Sequence, residues 1–534
     1  MVDLLPARPA PGLSARVRLG RIRSSRATAP LAVGAVALLF TGALSWVPSP
    51  WYDEAATISA ATRTLPQLFA MLQNVDAVHG AYYLLMRGWF SLVGYSPFTL
   101  RLPSTVATAL TAVLLVVLVR RLATPRVALV TGLVFVMLPR VTWMATEGRS
   151  YAITALLAVA LTLVFHVAWG WSGRDRAQLT LIWAAYGALA ALAGAAFIYL
   201  ALLVVAHGVT AVILTRAGVG PRPGRSLAGW FLASAGTGVV LASLAVDEAR
   251  QSHQVDWIRP LSARTFRDVF QGQWFLGNDG FAALAWLLIA MGAVVLVVGV
   301  VRRHGPGHWH RHRHGLPVAR AGVLAAVILP WMLLPSVALL LESAVSTPLF
   351  SPRYVTFAAP AAAALMAVAL TAVRSRWITA LAMAALLALT VPSWVHQRSP
   401  EAKQNSAWGE VAAQLASVRA TEPAGQTDAV VYGPLRRHPD ADMAMLALAY
   451  PTQFSGLVDL KLGQPAAQRG QLWEGRIPLA ESHERLGDAP AVWLVTSDKR
   501  DWRPSVAAQL ASWGYHLDGE WTFSGTNLVR YARN

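Results

Sequence analysis

Five polar clusters interrupt the apolar part of a chain of 534 residues, and their side chains could do chemistry together. They are Trp51-Tyr52-Asp53-Glu54; Asn74 to Gly80, followed by Tyr82-Tyr83; Glu147-Gly148-Arg149-Ser150-Tyr151; Gln251 to Pro260 (QSHQVDWIRP); and Ser351-Pro352-Arg353-Tyr354. Two adjacent carboxylates, Asp53 and Glu54, set against arginines and a histidine suit the reaction of a hydroxyl with a phosphate-bearing partner. A carboxylate accepts the hydroxyl proton as general base. Guanidinium groups offer a planar set of donors to the departing phosphate. Taken singly, each cluster has a plainer reading, because a carboxylate pair past a helix end is usually solvated and an arginine there snorkels to headgroups. Together they carry more weight, since ionisable groups at membrane depth are costly and commonly functional.

The elements that must position these residues are membrane helices. Charged residues make up 13% of the chain and hydrophobic ones 55%, against about 25% charged in an average soluble domain. That balance excludes a disordered chain, a fibrous repeat and a single soluble domain. There is no Cys, hence no disulfide framework, thiolate metal site or cysteine nucleophile. Apolar stretches fall near 30–47, 104–119, 127–143, 152–170, 179–195, 197–215, 227–246, 281–301, 318–340, 354–373 and 377–394. Most approach the roughly 20 residues a helix needs to span a bilayer, which predicts eleven spans.

The net charge of +18 then reads as topology, and no nucleic-acid partner is implied. With a cytoplasmic N-terminus, alternate loops hold Arg120, Arg121 and Arg126; Arg174 and Arg176; Arg216, Arg222 and Arg225; Arg302 to Arg320; and Arg374 and Arg376, with Asp175 the one acid among them. This is the positive-inside pattern, and it places all five polar clusters on the outer face. Residues 81–95 are apolar but short and interrupted by Arg87. They are expected to form an interfacial or re-entrant helix in the first outer loop, 48–103, with Tyr82, Trp89 and Tyr95 at headgroup level. The composition changes after Trp394. Three regions are therefore expected: a cytoplasmic basic tail over 1–29, a mainly α transmembrane bundle over 30–398, and an extracytoplasmic α/β domain over 399–534. In the last, helical patterns run over 405–418 and 504–513, and strand-like runs over 429–433, 491–496 and 525–531.

The order of these features resembles the polyprenyl-phosphate-sugar-dependent glycosyltransferases of the GT-C fold. It combines a first span, an outer loop opening on Asp53-Glu54, the D-x-x-H of Asp76 and His79 followed by Tyr82-Tyr83, and the R-L-P of 101–103 opening the next span. E-x-R-x-Y at 147–151, W-I-x-P at 257–260 and R-Y at 353–354 add to it. By pattern the chain looks like the protein-O-mannosyltransferase and aminoarabinose-transferase group and the actinobacterial envelope mannosyl- and arabinosyltransferases. The resemblance covers roughly residues 30–370. It implies an inverting transfer in which an acceptor hydroxyl attacks the anomeric carbon and polyprenyl phosphate leaves. Asp53 matches the family's base, with Glu54 as its neighbour and potential substitute. His79, Arg149, Tyr151, Arg353 and Tyr354 are expected at the donor phosphate and its first isoprenes; Asp76, Tyr82, Trp257 and Arg259 are expected at the sugar or acceptor. Where the family commonly has Pro after the histidine, Gly80 stands here.

The implied donor sugar is mannose, with arabinofuranose as the rival, and the acceptor is a hydroxyl of an envelope glycan, glycolipid or protein. No cofactor or metal is indicated, although a divalent ion beside Asp53 and Glu54 would be compatible. The histidine tract 304–314 (HGPGHWHRHRH) lacks carboxylate partners and has cytoplasmic parity, so a cationic loop on anionic lipid is the better reading. Two other classes compete. A transporter or flippase of a lipid-linked sugar would carry charges in mid-span on paired, interrupted helices, and no internal repeat is evident. A non-catalytic scaffold would leave the carboxylates of the outer loops without a role.

Overall fold

The computed structural model describes residues 14–301, 318–373, 375–423, 425–435 and 441–534. The basic residues of 1–13, Arg374 and the histidine tract at 304–314 lie outside the described residues. The chain begins with α1 (Ser14–Gly42), followed by a loop holding α2 (Tyr52–Ala61), α3 (Leu65–Leu72) and α4 (Gly80–Val93). The bundle continues with α5 (Pro97–Leu122), α6 (Pro125–Met137), α7 (Pro139–Met144), α8 (Tyr151–Trp169), α9 (Arg176–Ala196), α10 (Ala201–Arg216) and α11 (Pro223–Arg250). The short α12 (Ala263–Arg267) and α13 (Gln273–Phe275) precede α14 (Asp279–Val301), α15 (Val318–Val345), α16 (Ala359–Ala372) and α17 (Arg376–His396).

All eleven apolar stretches fall on helices. Among the described residues nine helices are long and apolar enough to cross a membrane, while Ala27–Gly42 and Pro125–Met137 are shorter. The chain is a multi-pass membrane protein. The stretch at 127–143 is broken because Leu138, with ψ 125°, is extended ahead of Pro139, as the residue before a proline tends to be. α16 is buried along almost its whole length and packs against α6, α14 and α15. Its run of alanines lets backbones approach closely, as small residues do between membrane helices. At the tightest point a Cβ on Gly292 would stand 2.1 Å from the Leu365 carbonyl oxygen, so α14 needs glycine there.

The loop between α1 and α5 does not lie apart from the rest. Its residues Ala55, Leu68, Tyr82, Tyr83 and Phe90 share one buried cluster with Trp408, Leu446, Trp473 and Trp493 of the C-terminal region. That region carries α18 (Trp408–Arg419) and a five-stranded sheet of order β2-β1-β3-β5-β4. Its strands are β1 (Ala429–Tyr432), β2 (Val458–Asp459), β3 (Ala491–Ser497), β4 (Tyr515–Phe523) and β5 (Thr526–Arg533). β1, β2 and β3 run parallel; β5 is antiparallel to β3 and forms a hairpin with β4. The fold is mainly α with a small mixed sheet, as the sequence predicts.

α4, at 14 residues, is too short to span, in agreement with the reading of 81–95. The expectation for Tyr82 changes. It is 2% exposed, inside the cluster shared with the C-terminal region, because that region covers the loop. Trp89 is half-buried and donates to the Thr99 carbonyl (2.8 Å), and the Tyr95 hydroxyl donates to the Ala449 carbonyl (3.0 Å).

Candidate functional site

Asp53 and Glu54 occupy the first turn of α2, where a helix favours negative charge. Consecutive helical residues point about 100° apart, and the two carboxylates meet different surroundings. Glu54 is fully buried. Arg101 of α5 grips it in a fork, Nε to Oε1 at 2.8 Å and Nη2 to Oε2 at 2.6 Å. The remaining Arg101 donors go to the carbonyls of Ser45, Pro48 and Ser49. The Gly148 N–H donates to Glu54 Oε1 at 2.8 Å, and Lys403 Nζ stands 3.7 Å from that oxygen. Lys403 also pairs with Glu147 and donates to the Thr146 carbonyl, while Trp51 Nε1 donates to the other Glu147 oxygen at 3.1 Å. Two carboxylates and two cations thus form a balanced buried group. Burial opposes the Glu54 charge, but Arg101, Lys403 and the Gly148 N–H outweigh it and hold the carboxyl below its ordinary range. The structure gives Glu54 to the framework and does not bring it to the open site.

Asp53 faces the other way. Its carboxylate keeps 13% exposure and accepts from Arg353 Nη1 at 2.7 Å. Its backbone carbonyl accepts from Arg149 Nη1 at 3.2 Å, and the same Arg149 nitrogen donates to the Tyr83 hydroxyl at 3.0 Å. Tyr83 in turn donates to Asp76 Oδ2 at 2.6 Å. A continuous polar chain therefore runs from Asp76 through Tyr83 and Arg149 to α2, and Arg353 closes it on Asp53.

The turn that presents Arg149 is fixed from three sides. Thr57 donates to the Gly148 carbonyl (2.9 Å), Ser104 to the Glu147 carbonyl (2.6 Å), and Leu100 lies where a side chain on residue 148 would be, 2.7 Å from its Cβ position. Arg353 sits at the start of a 3-10 segment, Pro352–Ala358, that leads into α16. Its guanidinium lies over Trp257, 4.6 Å from the ring centroid, and 5.7 Å from that of Tyr354. Tyr354 packs against Phe197 and Tyr199, with centroids 5.5 and 5.3 Å away, so an aromatic floor lies beneath the cation.

Asp76 is held in left-handed backbone geometry, φ 58° and ψ 29°, a conformation that costs energy for a residue with a side chain. The segment after α11 holds it there. Gln254 Oε1 accepts from the Asp76 N–H (3.1 Å), Gln251 Oε1 accepts from the Ala77 N–H (2.9 Å), and Gln251 Nε2 donates to the Leu72 carbonyl (2.9 Å). Burial raises the Asp76 carboxyl above its ordinary range, against the pull of Arg149 and the Tyr83 hydrogen bond. Burial, with Arg149 and Arg353 nearby, pushes His79 well below its ordinary value, so the imidazole is neutral. Its ring lies 5.9 Å from that of Tyr83, and its Nδ1 meets no hydrogen-bond partner among the described residues. Gly80 takes φ −54° and ψ −47° at the start of α4, angles that a proline adopts at a first helical position. The departure from the family pattern therefore leaves the backbone path helical.

The expected residues divide as follows. Asp53, Asp76, His79, Arg149 and Arg353 converge, with Trp257 and Tyr354 under Arg353. Tyr151 is buried at the head of α8, its ring 5.3 Å from that of Trp143, and it stands close to Arg353, Asp53 and Arg149 at the edge of the same group. Arg259 is exposed and makes no polar contact among the described residues. Tyr82 lies in the core, and the adjacent Tyr83 takes the polar position. Tyr83, Gln251 and Gln254 join the site as participants that the motifs do not single out. Tyr83 stands four residues after the His79 of the D-x-x-H, about one helical turn on, and that spacing is the signal in the sequence.

Replacing Tyr83 by Phe should leave Asp76 and Arg149 each without one partner. A cost of about 1–3 kcal/mol is expected for the buried groups so exposed, seen as a lower midpoint of thermal unfolding in detergent. An unchanged midpoint would mean that water takes over the hydroxyl's role.

Comparison with solved structures gives the same architecture over nearly the whole chain. ArnT from Cupriavidus metallidurans bound to undecaprenyl phosphate superposes with a TM-score of 0.57 at 14% identity, covering 94% of this chain and 97% of that one. The apo state of the same protein gives 0.56 at 13% identity, covering 95% and 98%. The archaeal oligosaccharyltransferase AglB from Archaeoglobus fulgidus reaches 0.49 at 13% identity over 95% of this chain and 74% of that one. No protein-family model matches the sequence, and no curated protein is significantly similar to it. The likeness to ArnT shows the fold, the GT-C-type membrane bundle that the motif order implies.

Proposed function

We propose that the chain is an inverting membrane glycosyltransferase that moves a sugar from polyprenyl phosphate to an acceptor hydroxyl. The observation that carries this reading is the meeting of one partly open carboxylate, Asp53, with the guanidinium groups of Arg149 and Arg353 at one end of a membrane bundle. Asp53 would take the acceptor proton as its oxygen attacks the anomeric carbon. The bond to the phosphate oxygen breaks on the opposite face of the sugar, and the negative charge left on polyprenyl phosphate is met by the two arginines. In the free protein Arg353 neutralises Asp53, so a donor phosphate drawing on Arg353 would also release the base. The fold shared with ArnT, crystallised with undecaprenyl phosphate, supports a lipid-phosphate donor. Mannose is the first sugar to test and arabinofuranose the second. The acceptor is an envelope glycolipid, glycan or protein.

The test is to incubate purified protein in lipid nanodiscs with polyprenyl-phosphate mannose, arabinofuranose, glucose and aminoarabinose and an envelope extract as acceptor. Release of polyprenyl phosphate with one donor is the expected result. No release with any of them would overturn the reading.

The same proposal puts the site and residues 399–534 on the outer face and the N-terminal tail in the cytoplasm. Because the chain has no Cys, single cysteines report topology cleanly. Ser252→Cys should react in intact cells with a membrane-impermeant maleimide, and Ser172→Cys only after permeabilisation. Both positions are exposed. The reverse pattern would invert the orientation.

A further inference from the structure

A second feature lies at the far end of the bundle. α8 starts beside the candidate site and runs away from it, so α9 and α11, which are parallel, both begin at the opposite membrane face. Between them is a groove of about 600 Å³. Its walls include Ala184 and Gly187 of α9 and Ala233 and Gly236 of α11. α11 is the least covered of the candidate spans, with 11% of its most apolar stretch buried. Small residues facing the membrane would by themselves mean only bulk lipid. Three further observations concern the groove itself.

Arg225 stands at its mouth. The side chain is exposed and makes no ion pair or hydrogen bond among the described residues. It belongs to a basic cluster with Arg174, Arg176 and Arg222 whose one acid, Asp175, is occupied in capping α9. Such juxtamembrane clusters attract anionic lipid.

Trp183 lines the groove and is 5% exposed, yet its Nε1 has no hydrogen-bond partner among the described residues. A buried indole N–H normally finds an acceptor. Gly229 lies over the face of its pyrrole ring, where a Cβ on that residue would stand 2.5, 2.6 and 2.9 Å from Nε1, Cδ1 and Cε2. Trp183 is seven residues into α9, about 10 Å along the helix from its start.

Length is the third. The lining runs on α11 from Arg225 to Val240, about 22 Å at 1.5 Å per residue. That is half of the roughly 40–45 Å of a bilayer with its headgroups, the reach of one lipid in one leaflet.

We propose that this groove binds one anionic phospholipid of the leaflet opposite the candidate site. Its phosphate pairs with Arg225, and one acyl chain follows the small residues past Trp183 to Val240. The proposal stands apart from the glycosyltransferase reading and needs no activity to test. The full chain, stripped of lipid in detergent, is titrated with dioleoylphosphatidylglycerol and read by native mass spectrometry. One retained molecule is expected. Dioleoylglycerol, which lacks the phosphate, and inorganic phosphate, which lacks the chains, are expected to give none.

Arg225→Gln should weaken retention about fivefold, the worth of one arginine near an anionic headgroup. Gly236→Leu should abolish retention by filling the groove. A Cβ at Gly236 has nothing within 4 Å, so the variant should fold. Gly238→Leu, equally open on the same helix but outside the groove, should bind as the unmodified chain does. Equal retention of dioleoylglycerol or of inorganic phosphate, or unchanged binding by Gly236→Leu, would overturn the proposal.

Discussion

Asp53→Asn is expected to cut the release of polyprenyl phosphate by about 10²–10⁴-fold, the usual worth of a positioned general base. Asparagine keeps the size of the side chain and can still accept a hydrogen bond from Arg353, but it cannot take a proton. Because Asp53 retains some exposure and Glu54 holds the buried network, folding should be unaffected, as judged by gel filtration and thermal unfolding. Glu54 lies in the wrong place to replace it, with its oxygens committed to Arg101, Gly148 and Lys403. A variant that folds and still releases product at near the original rate would remove Asp53 from the base role while leaving the fold untouched.

Arg101→Met should do the reverse, acting on folding before chemistry. Arg101 is fully buried and donates to Glu54 and to three carbonyls of the segment leading into α2. Removing one partner of a buried pair strands the other, which costs about 3–5 kcal/mol. The expected readout is a marked fall in the unfolding midpoint, or loss of monodisperse protein. Coupling it with Glu54→Leu removes the stranded carboxylate, and the double variant should recover part of the loss. If the single variant unfolds at the original temperature, the buried pair is not what holds α2 in place. Glu54 also gives this region a pH dependence. Its folded carboxyl is held below its ordinary value. The stability it supplies is therefore present above the unfolded pKa, near 4.3, and is lost as pH falls through the folded one.

The bundle was legible because membrane helices announce themselves by length and hydropathy, and each apolar stretch found its helix. What escaped has local causes. β4 reads poorly because its alternation is interrupted at Asp518-Gly519, where the register with β5 slips, and much of the strand is exposed. β2 is two residues long, shorter than any pattern can show. In the site, Asp53 and Glu54 are adjacent and chemically alike. Which one faces the open side depends on Arg101, 47 residues on, and on Lys403 from beyond the last span, and no spacing rule connects those. Tyr82 and Tyr83 pose the same problem, because the C-terminal region that shares a buried cluster with both contributes its residues from more than 300 positions away, and only Tyr83 bonds Asp76 and Arg149. The polar QSHQ run was visible, but its use is to bond the backbone at 76–77, which side-chain patterns do not reveal.

The stitching between the first loop and the C-terminal region limits how the molecule can move. Arg63 donates to the carbonyls of Gln471 and Leu472, Ser59 to that of Leu472, and Asn74 to that of Gly470. Arg398 caps the end of α1 through the carbonyls of Thr41 and Ala43, and Lys403 reaches into the buried charges beside α2. A roof fastened at so many points cannot swing open as a rigid lid without tearing charged groups from their partners. On the proposed function, the route this leaves for substrates is from the side, between helices, and the doorway belongs to the membrane.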